Sequence, residues 1–248
     1  MKKLIIISLL FLLTIGVNSC TKSDSSNAAN ANTGVGGSLA RFTIVGNYLY
    51  IADVSSLSVY NIIDPSNTSF VRSVYIGRDI ETIFPNGNLL FIGSQTGMFI
   101  YSLDVPTDPV LKGQALHLRS CDPVVAKDSF AFVTLKSGAA CGTATDGLYT
   151  YNIKDITQPE LINTLEIPTP AGLGYRDTTL FVCCENNGLA VINIKDEKHP
   201  VVKKMITANT FYDVIVLDNV LVCMVKDGID LYDIEDVNKI ELLKNIKY

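Results

Sequence analysis

The chain has 248 residues, a formal net charge of −5, 48% hydrophobic residues and only 18% charged ones. That composition buries a large core and excludes disorder throughout, and an acidic balance without a basic stripe excludes an ordinary nucleic-acid binder. The length fits one large all-β domain or two ordinary ones.

Residues 1–19 read as a targeting segment. Met1, Lys2 and Lys3 form a positive start, and Leu4 to Gly16 is almost wholly apolar. That run is too short for a bilayer core of ~30 Å but has the proportions of a secretory signal. It ends in Val17-Asn18-Ser19-Cys20, which resembles the lipobox of bacterial lipoproteins. Asn18 departs from the small residue that such a box prefers, and the other reading is an ordinary signal peptide with an incidental cysteine. The resemblance implies that Cys20 is lipidated and becomes the new N-terminus. Residues 20–38 are then a polar, Ser-, Asn-, Ala- and Gly-rich tether after the lipid. Loss of Lys2 and Lys3 leaves a mature charge of about −7. Lys22 stands where an inner-membrane retention Asp would, which points to the outer membrane, on its periplasmic or surface face.

From residue 39 onward one unit recurs five times. The hexads Leu57–Ile62, Met98–Leu103, Leu148–Ile153, Leu189–Ile194 and Ile229–Ile234 share one apolar pattern, and an upstream marker runs Tyr50, Phe91, Phe132, Phe181, Val222. Both series step by about 41 residues except in the third copy, which carries some nine extra residues around Ser137–Thr145. Each copy holds four short β-rich runs separated by turn signals such as Gly46-Asn47 and Asp64-Pro65. No helical period occurs beyond the signal. These features predict an all-β chain, a β-propeller of five four-stranded blades at about 39–77, 78–118, 119–167, 168–208 and 209–248. A ring covers both faces of every blade, whereas an open solenoid needs polar end copies. Closure by intact blades or by exchange of a terminal strand stays open.

Tyr48–Asp53 with Leu57–Ile62 and Asp64-Pro65, Leu90–Gly93 with Gly97–Tyr101, and Leu180–Val182 with Gly188–Val191 resemble the LVIVD-repeat β-propeller proteins over roughly residues 39–248. The lipobox and tether resemble those of Bacteroidetes-type envelope lipoproteins. The resemblance implies a secreted or envelope propeller and brings no catalytic residues with it.

Six cysteines are present. Cys121 enters the third blade and Cys141 lies in its insertion, so an oxidising compartment would allow a disulfide that staples that loop. Cys183, Cys184 and Cys223 lie in apolar strands and read as small buried hydrophobes. The two histidines, His117 and His199, have no ligand-spaced partner, and no catalytic motif, metal-binding pattern or cofactor fingerprint occurs.

One charged constellation remains. Ten residues before the markers stand Glu81 and Asp122, and nine before the last stands Asp213; Arg78, Asp79, Arg119 and Tyr212 adjoin them, while the fourth copy has Pro170-Ala171-Gly172. At the entries to the innermost strands these groups would surround one mouth of the axial channel. They either pair with each other and cap strand ends, or hold a polar ligand or cation on the axis. The expected function is a non-catalytic, membrane-anchored binding or scaffold module. It would be monomeric, with a protein or glycan partner, no nucleic acid, no metal and no cofactor. The alternatives are a propeller-type hydrolase or lyase using the axial carboxylates, and an assembly factor for outer-membrane proteins.

Overall fold

The computed structural model describes residues 37–116, 123–138 and 145–248. Cys20, the signal segment and the polar tether up to residue 36 lie outside the described residues. So do His117, Arg119, Cys121, Asp122 and Cys141, and with them the proposed disulfide.

Among the described residues, twenty strands form five antiparallel sheets of four. Blade 1 comprises β1 (Phe42–Val45), β2 (Tyr48–Ala52), β3 (Ser56–Asn61) and β4 (Ser69–Tyr75). Blade 2 comprises β5 (Ile80–Asn86), β6 (Leu89–Ser94), β7 (Gly97–Ser102) and β8 (Val110–Leu116). Blade 3 comprises β9 (Val124–Lys127), β10 (Phe130–Leu135), β11 (Gly147–Asn152) and β12 (Glu160–Glu166). Blade 4 comprises β13 (Leu173–Arg176), β14 (Thr179–Cys183), β15 (Leu189–Asn193) and β16 (Val201–Ile206). Blade 5 comprises β17 (Phe211–Leu217), β18 (Val220–Val225), β19 (Gly228–Asp233) and β20 (Glu241–Lys247). In every sheet the strands lie in chain order from the innermost outwards. The chain is a five-bladed β-propeller, and among the described residues each blade is built from four consecutive strands with none exchanged between first and last.

Turn chemistry sets the register of each blade. The two innermost strands are joined by two-residue hairpins, Gly46-Asn47, Gly87-Asn88, Asp128-Ser129, Asp177-Thr178 and Asp218-Asn219. The first residue of each has φ between 46° and 60°, a left-handed conformation that glycine and aspartate tolerate better than other residues. On the same rim, in the turns before the outermost strands, the residue after Asp64, Asp155, Asp196 or Asp236 is followed by a backbone N–H that donates to that Asp side chain, at 2.9–3.1 Å. Every outer strand carries a bulge at the same step, beside Val59/Tyr60 in blade 1 and Leu231/Tyr232 in blade 5. Such bulges disrupt an exposed edge as a template for further pairing.

Because side chains alternate across a strand, each blade has two apolar faces. In blade 1 Tyr50, Ala52, Leu57 and Val59 face blade 2, which answers with Leu90, Ile92, Phe99 and Tyr101. The same exchange fills the seams between blades 2 and 3, 3 and 4, and 4 and 5. The aromatic markers Tyr50, Phe91, Phe132 and Phe181 are fully buried in these four seams, each contributing roughly 1.5–3 kcal/mol on burial.

The seam between blade 5 and blade 1 differs. Ile51, the counterpart of the fully buried Ile92, is 37% exposed, and Met224, the counterpart of Cys183, is 43% exposed. Val222, where the other blades carry an aromatic marker, is only half-buried. The terminal copies are apolar on these faces, as a sealed ring requires, yet no core cluster joins them among the described residues.

Candidate functional site

Where the chain enters the innermost strands, the five blades form one mouth of the axial channel. A cavity of about 340 Å³ opens there, lined by Leu39, Arg41, Glu81, Pro123, Lys136, Pro170 and Ala171. Glu81, at the start of β5, accepts a hydrogen bond from Gln95 Nε2 at 3.1 Å. Lys136, just past β10, is ion-paired with Glu185, which follows β14 and continues the sheet through a bridge to Phe211 of blade 5. Thr134 donates to the Ala171 carbonyl at 2.7 Å, fixing the blade 4 entry against blade 3. The mouth therefore carries both signs of charge, held in place by neighbours.

Of the residues singled out in the sequence, Glu81 lines this cavity. Arg78 is exposed in the approach to β5. Asp79 has a left-handed backbone, and its carbonyl accepts from the Gln95 N–H at 3.1 Å. Tyr212 contributes a backbone carbonyl to the Gly172 N–H at 2.9 Å. Among the described residues no group of three or more His, Cys, Asp or Glu side chains is placed to hold a metal ion.

Asp213 serves a different purpose. Residues 37–40 cross the mouth as a strap before β1 begins. The Ser38 hydroxyl lies 3.4 Å from Asp213 Oδ1 and accepts the Leu173 N–H at 2.7 Å. The backbone N–H groups of Ser38 and Leu39 also donate to the Asp213 carboxylate, and the Val214 N–H reaches Oδ1 at 2.9 Å. On the other side of the strap the Ala40 carbonyl accepts the Ile83 N–H at 2.9 Å. Gly37 and Gly172 are required here, because a methyl group at either would overlap the Asp213 carboxylate. The Pro170-Ala171-Gly172 entry lacks a carboxylate because it makes room for the one from blade 5. Burial pushes the Asp213 carboxyl up to about 6, against the lowering effect of its hydrogen bonds.

The base of the third-copy insertion is clasped by Asp146. Its Oδ1 accepts the Ser137 N–H and hydroxyl, each at 2.7 Å, and its Oδ2 accepts the Thr169 N–H at 2.9 Å. Burial pushes the Asp146 carboxyl up, but these bonds and Lys136 outweigh it and hold it below the usual range.

Cys183, Cys184 and Cys223 are free and buried. Burial pushes the Cys184 thiol up to about 12 and raises Cys183 and Cys223 as well, so none is an activated thiolate.

Sequence reasoning missed Ser38, Gly37, Lys136 and Glu185. Ser38 sits in a compositionally uniform polar run, and the Lys136–Glu185 pair is brought together only by the packing of blade 4 on blade 3.

Residues 36–75, the first blade with its lead-in, match the LVIVD repeat family. No curated protein matches the sequence. Among solved structures, a functionally unknown protein from Desulfotomaculum acetoxidans superposes with a TM-score of 0.66 at 12% identity, over 81% of this chain and 66% of the other. A protein from Lactobacillus plantarum gives 0.62 at 14% identity, over 81% and 68%. BamB from Moraxella catarrhalis gives 0.56 at 12% identity, over 76% and 54%. At such identities the likeness is one of fold. The chain spans about two thirds or less of the length of most of these matched structures.

Proposed function

We propose that the chain is a non-catalytic binding or scaffold module of the bacterial envelope, held to the membrane through lipid on Cys20 and presenting the strap side of the propeller to a protein or glycan partner. The observation that carries this reading is the mouth cavity, where Arg41, Glu81 and Lys136 surround a concave opening framed by Pro123 and Pro170. Opposite charges at a rigid rim suit recognition, since they fix orientation and penalise wrong partners. They suit catalysis less: Glu81 is tied to Gln95 and Lys136 to Glu185, and the nearby thiols are protonated and buried.

The test is capture from envelope extracts of a native host on immobilised protein, comparing the unaltered chain with Glu81→Ala and Lys136→Ala. Loss of one defined partner in both variants, with unchanged melting temperature, supports the reading. Turnover of an envelope polysaccharide or ester that disappears in Glu81→Ala would replace it with the hydrolase or lyase reading. Recovery of outer-membrane assembly components by the unaltered chain would identify the partner class. Lipidation is checked separately, by incorporation of labelled fatty acid that is lost in Cys20→Ala.

A further inference from the structure

At the unsealed seam, blades 1 and 5 each keep one apolar face, and repeat equivalence shows what each face is built to meet. On the free face of blade 1, Leu49 and Tyr60 are half-buried. Their counterparts Leu90 and Tyr101 in blade 2, and Leu221 and Tyr232 in blade 5, are buried against the blade that precedes them. Phe42 and Phe70 stand exposed on the same face, Phe70 edge-on to Tyr60 with ring centres 5.6 Å apart. The one charged residue in the strands of blade 1 is Arg72, which turns the other way and ion-pairs with Asp108 of blade 2. On the free face of blade 5, Val222 and Leu231 are half-buried and Met224 is exposed. Their counterparts in blade 4, Phe181, Val191 and Cys183, are buried against blade 5. The outer face of blade 5 is therefore of the kind that elsewhere accepts the next blade, and that of blade 1 the kind that accepts the preceding one.

A charged group points the same way. Lys244 holds in blade 5 the position of Arg72 in blade 1, opposite Leu231 as Arg72 is opposite Val59. Arg72 reaches across its seam to Asp108, in the turn before β8, whereas Lys244 has no ion-pair partner among the described residues. The residue of blade 1 that matches Asp108 is the exposed Asn67, whose side-chain carbonyl accepts hydrogen bonds from an ammonium group.

We propose that blade 5 of one copy of this chain packs on blade 1 of a second copy, continuing the blade-on-blade stacking from chain to chain, in place of the monomer expected from the sequence. The two faces differ, so the contact is head-to-tail. Each face has four strands about 4.8 Å apart and about six residues long at ~3.3 Å per residue, hence roughly 400 Å². One contact then covers roughly 800 Å² over both faces before the relief of the side chains is counted, the lower end of specific interfaces. That area suits reversible association in the micromolar range rather than a permanent dimer, and in more dilute solution the fifth seam is that of the single chain. The contact uses none of the charged groups of the mouth, so it stands or falls separately from the partner reading there.

Sedimentation of the full chain, with Cys20→Ser to prevent lipidation, tests the contact. The expected result is a mass that rises above that of one chain between about 1 and 100 µM. Ile51→Glu and Met224→Glu, one on each face, should each weaken association at least about tenfold, because the contact would bury an unpaired carboxylate. Leu161→Glu, at a comparably exposed position on the outer strand of blade 3, should leave it unchanged. A cross-link identifies the faces without relying on those variants. In a background with Cys20, Cys121 and Cys141 changed to Ser, chains carrying Asn67→Cys are mixed with chains carrying Lys244→Cys and treated with a short bismaleimide. The expected product is a covalent pair with one chain of each kind. A single-chain mass at every concentration, association that survives Ile51→Glu and Met224→Glu, or equal loss in Leu161→Glu would overturn the proposal. So would a cross-link formed within one chain carrying both cysteines in dilute solution, since blade 5 would then meet its own blade 1.

Discussion

Ser38 and Asp213 stand 175 positions apart in the chain, yet the hydroxyl of one lies 3.4 Å from the carboxylate of the other. Because the same hydroxyl accepts the buried Leu173 N–H, this contact ties the lead-in of blade 1 to the entries of blades 4 and 5. Four seams of the propeller are filled by apolar side chains. At the fifth, the lead-in residues Ser38 and Leu39 meet Asp213 through polar contacts made at the mouth.

Ser38→Ala removes a donor from Asp213 and leaves the Leu173 N–H without its acceptor. A loss of about 1–3 kcal/mol follows from the cost of an unsatisfied buried donor. Urea unfolding measures it. The double variant Ser38→Ala, Asp213→Ala should lose less than the sum of the single variants, since both break one network. Strict additivity would mean that the two side chains act independently.

The Asp213 carboxyl also gives stability a pH dependence with a definite sign. In the native chain it keeps its proton up to about pH 6, whereas in the unfolded chain it releases it near the ordinary aspartate value of 3.8. Between these values the native state binds more protons, so this group's contribution to stability falls as pH rises from about 4 to 6 and is flat above. At about 1.4 kcal/mol per unit the span is at most about 3 kcal/mol. Asp146 acts in the opposite sense: its lowered carboxyl contributes stability that is present above the unfolded value and lost as pH falls below it. Urea midpoints across pH 3–7 should show a decline between 4 and 6 that Asp213→Asn removes. A variant that keeps the decline would assign it to another group.

The blades were legible because their physics repeats. Tyr50, Phe91, Phe132 and Phe181 must each fill a seam, so the same large side chain returns at the same phase, and Gly46 or Asp177 returns wherever a hairpin needs a left-handed residue. Counting from those markers placed Glu81 at the mouth. The strap was not legible, because no local pattern links Ser38, Gly172 and Asp213. Gly172 read as a gap in a ring of carboxylates, and only the folded chain shows the gap to be filled by Asp213 from the next blade. Val222 was the visible sign of the open seam. An aromatic side chain is absent at the one marker position that faces no following blade.

Thiol accessibility tests the packing between blades 4 and 5, where Cys183 and Cys223 share one apolar cluster. In a background with Cys20, Cys121 and Cys141 changed to Ser, the remaining three thiols should react with an aromatic disulfide reagent only as fast as the blades open. Their raised pKa values slow them further, because the thiolate is the reacting species. Addition of denaturant should release all three together. Rapid reaction of Cys183 and Cys223 but not of Cys184 in native buffer would mean that blade 5 detaches before the rest.

The seam between blades 5 and 1 makes the sharpest claim about shape, and a matched pair of substitutions tests it. Ile51 and Ile92 occupy the same position in successive blades, but Ile92 is fully buried against blade 1 whereas Ile51 is 37% exposed. Ile92→Ala should therefore cost about 2–5 kcal/mol, the range for deleting a buried aliphatic side chain. Ile51→Ala should cost about 1 kcal/mol or less, since partly exposed positions lose little burial and leave no enclosed cavity. The difference in urea midpoint between the two variants measures how far the fifth seam is open in solution. Equal losses would mean that blade 1 meets blade 5 as tightly as it meets blade 2.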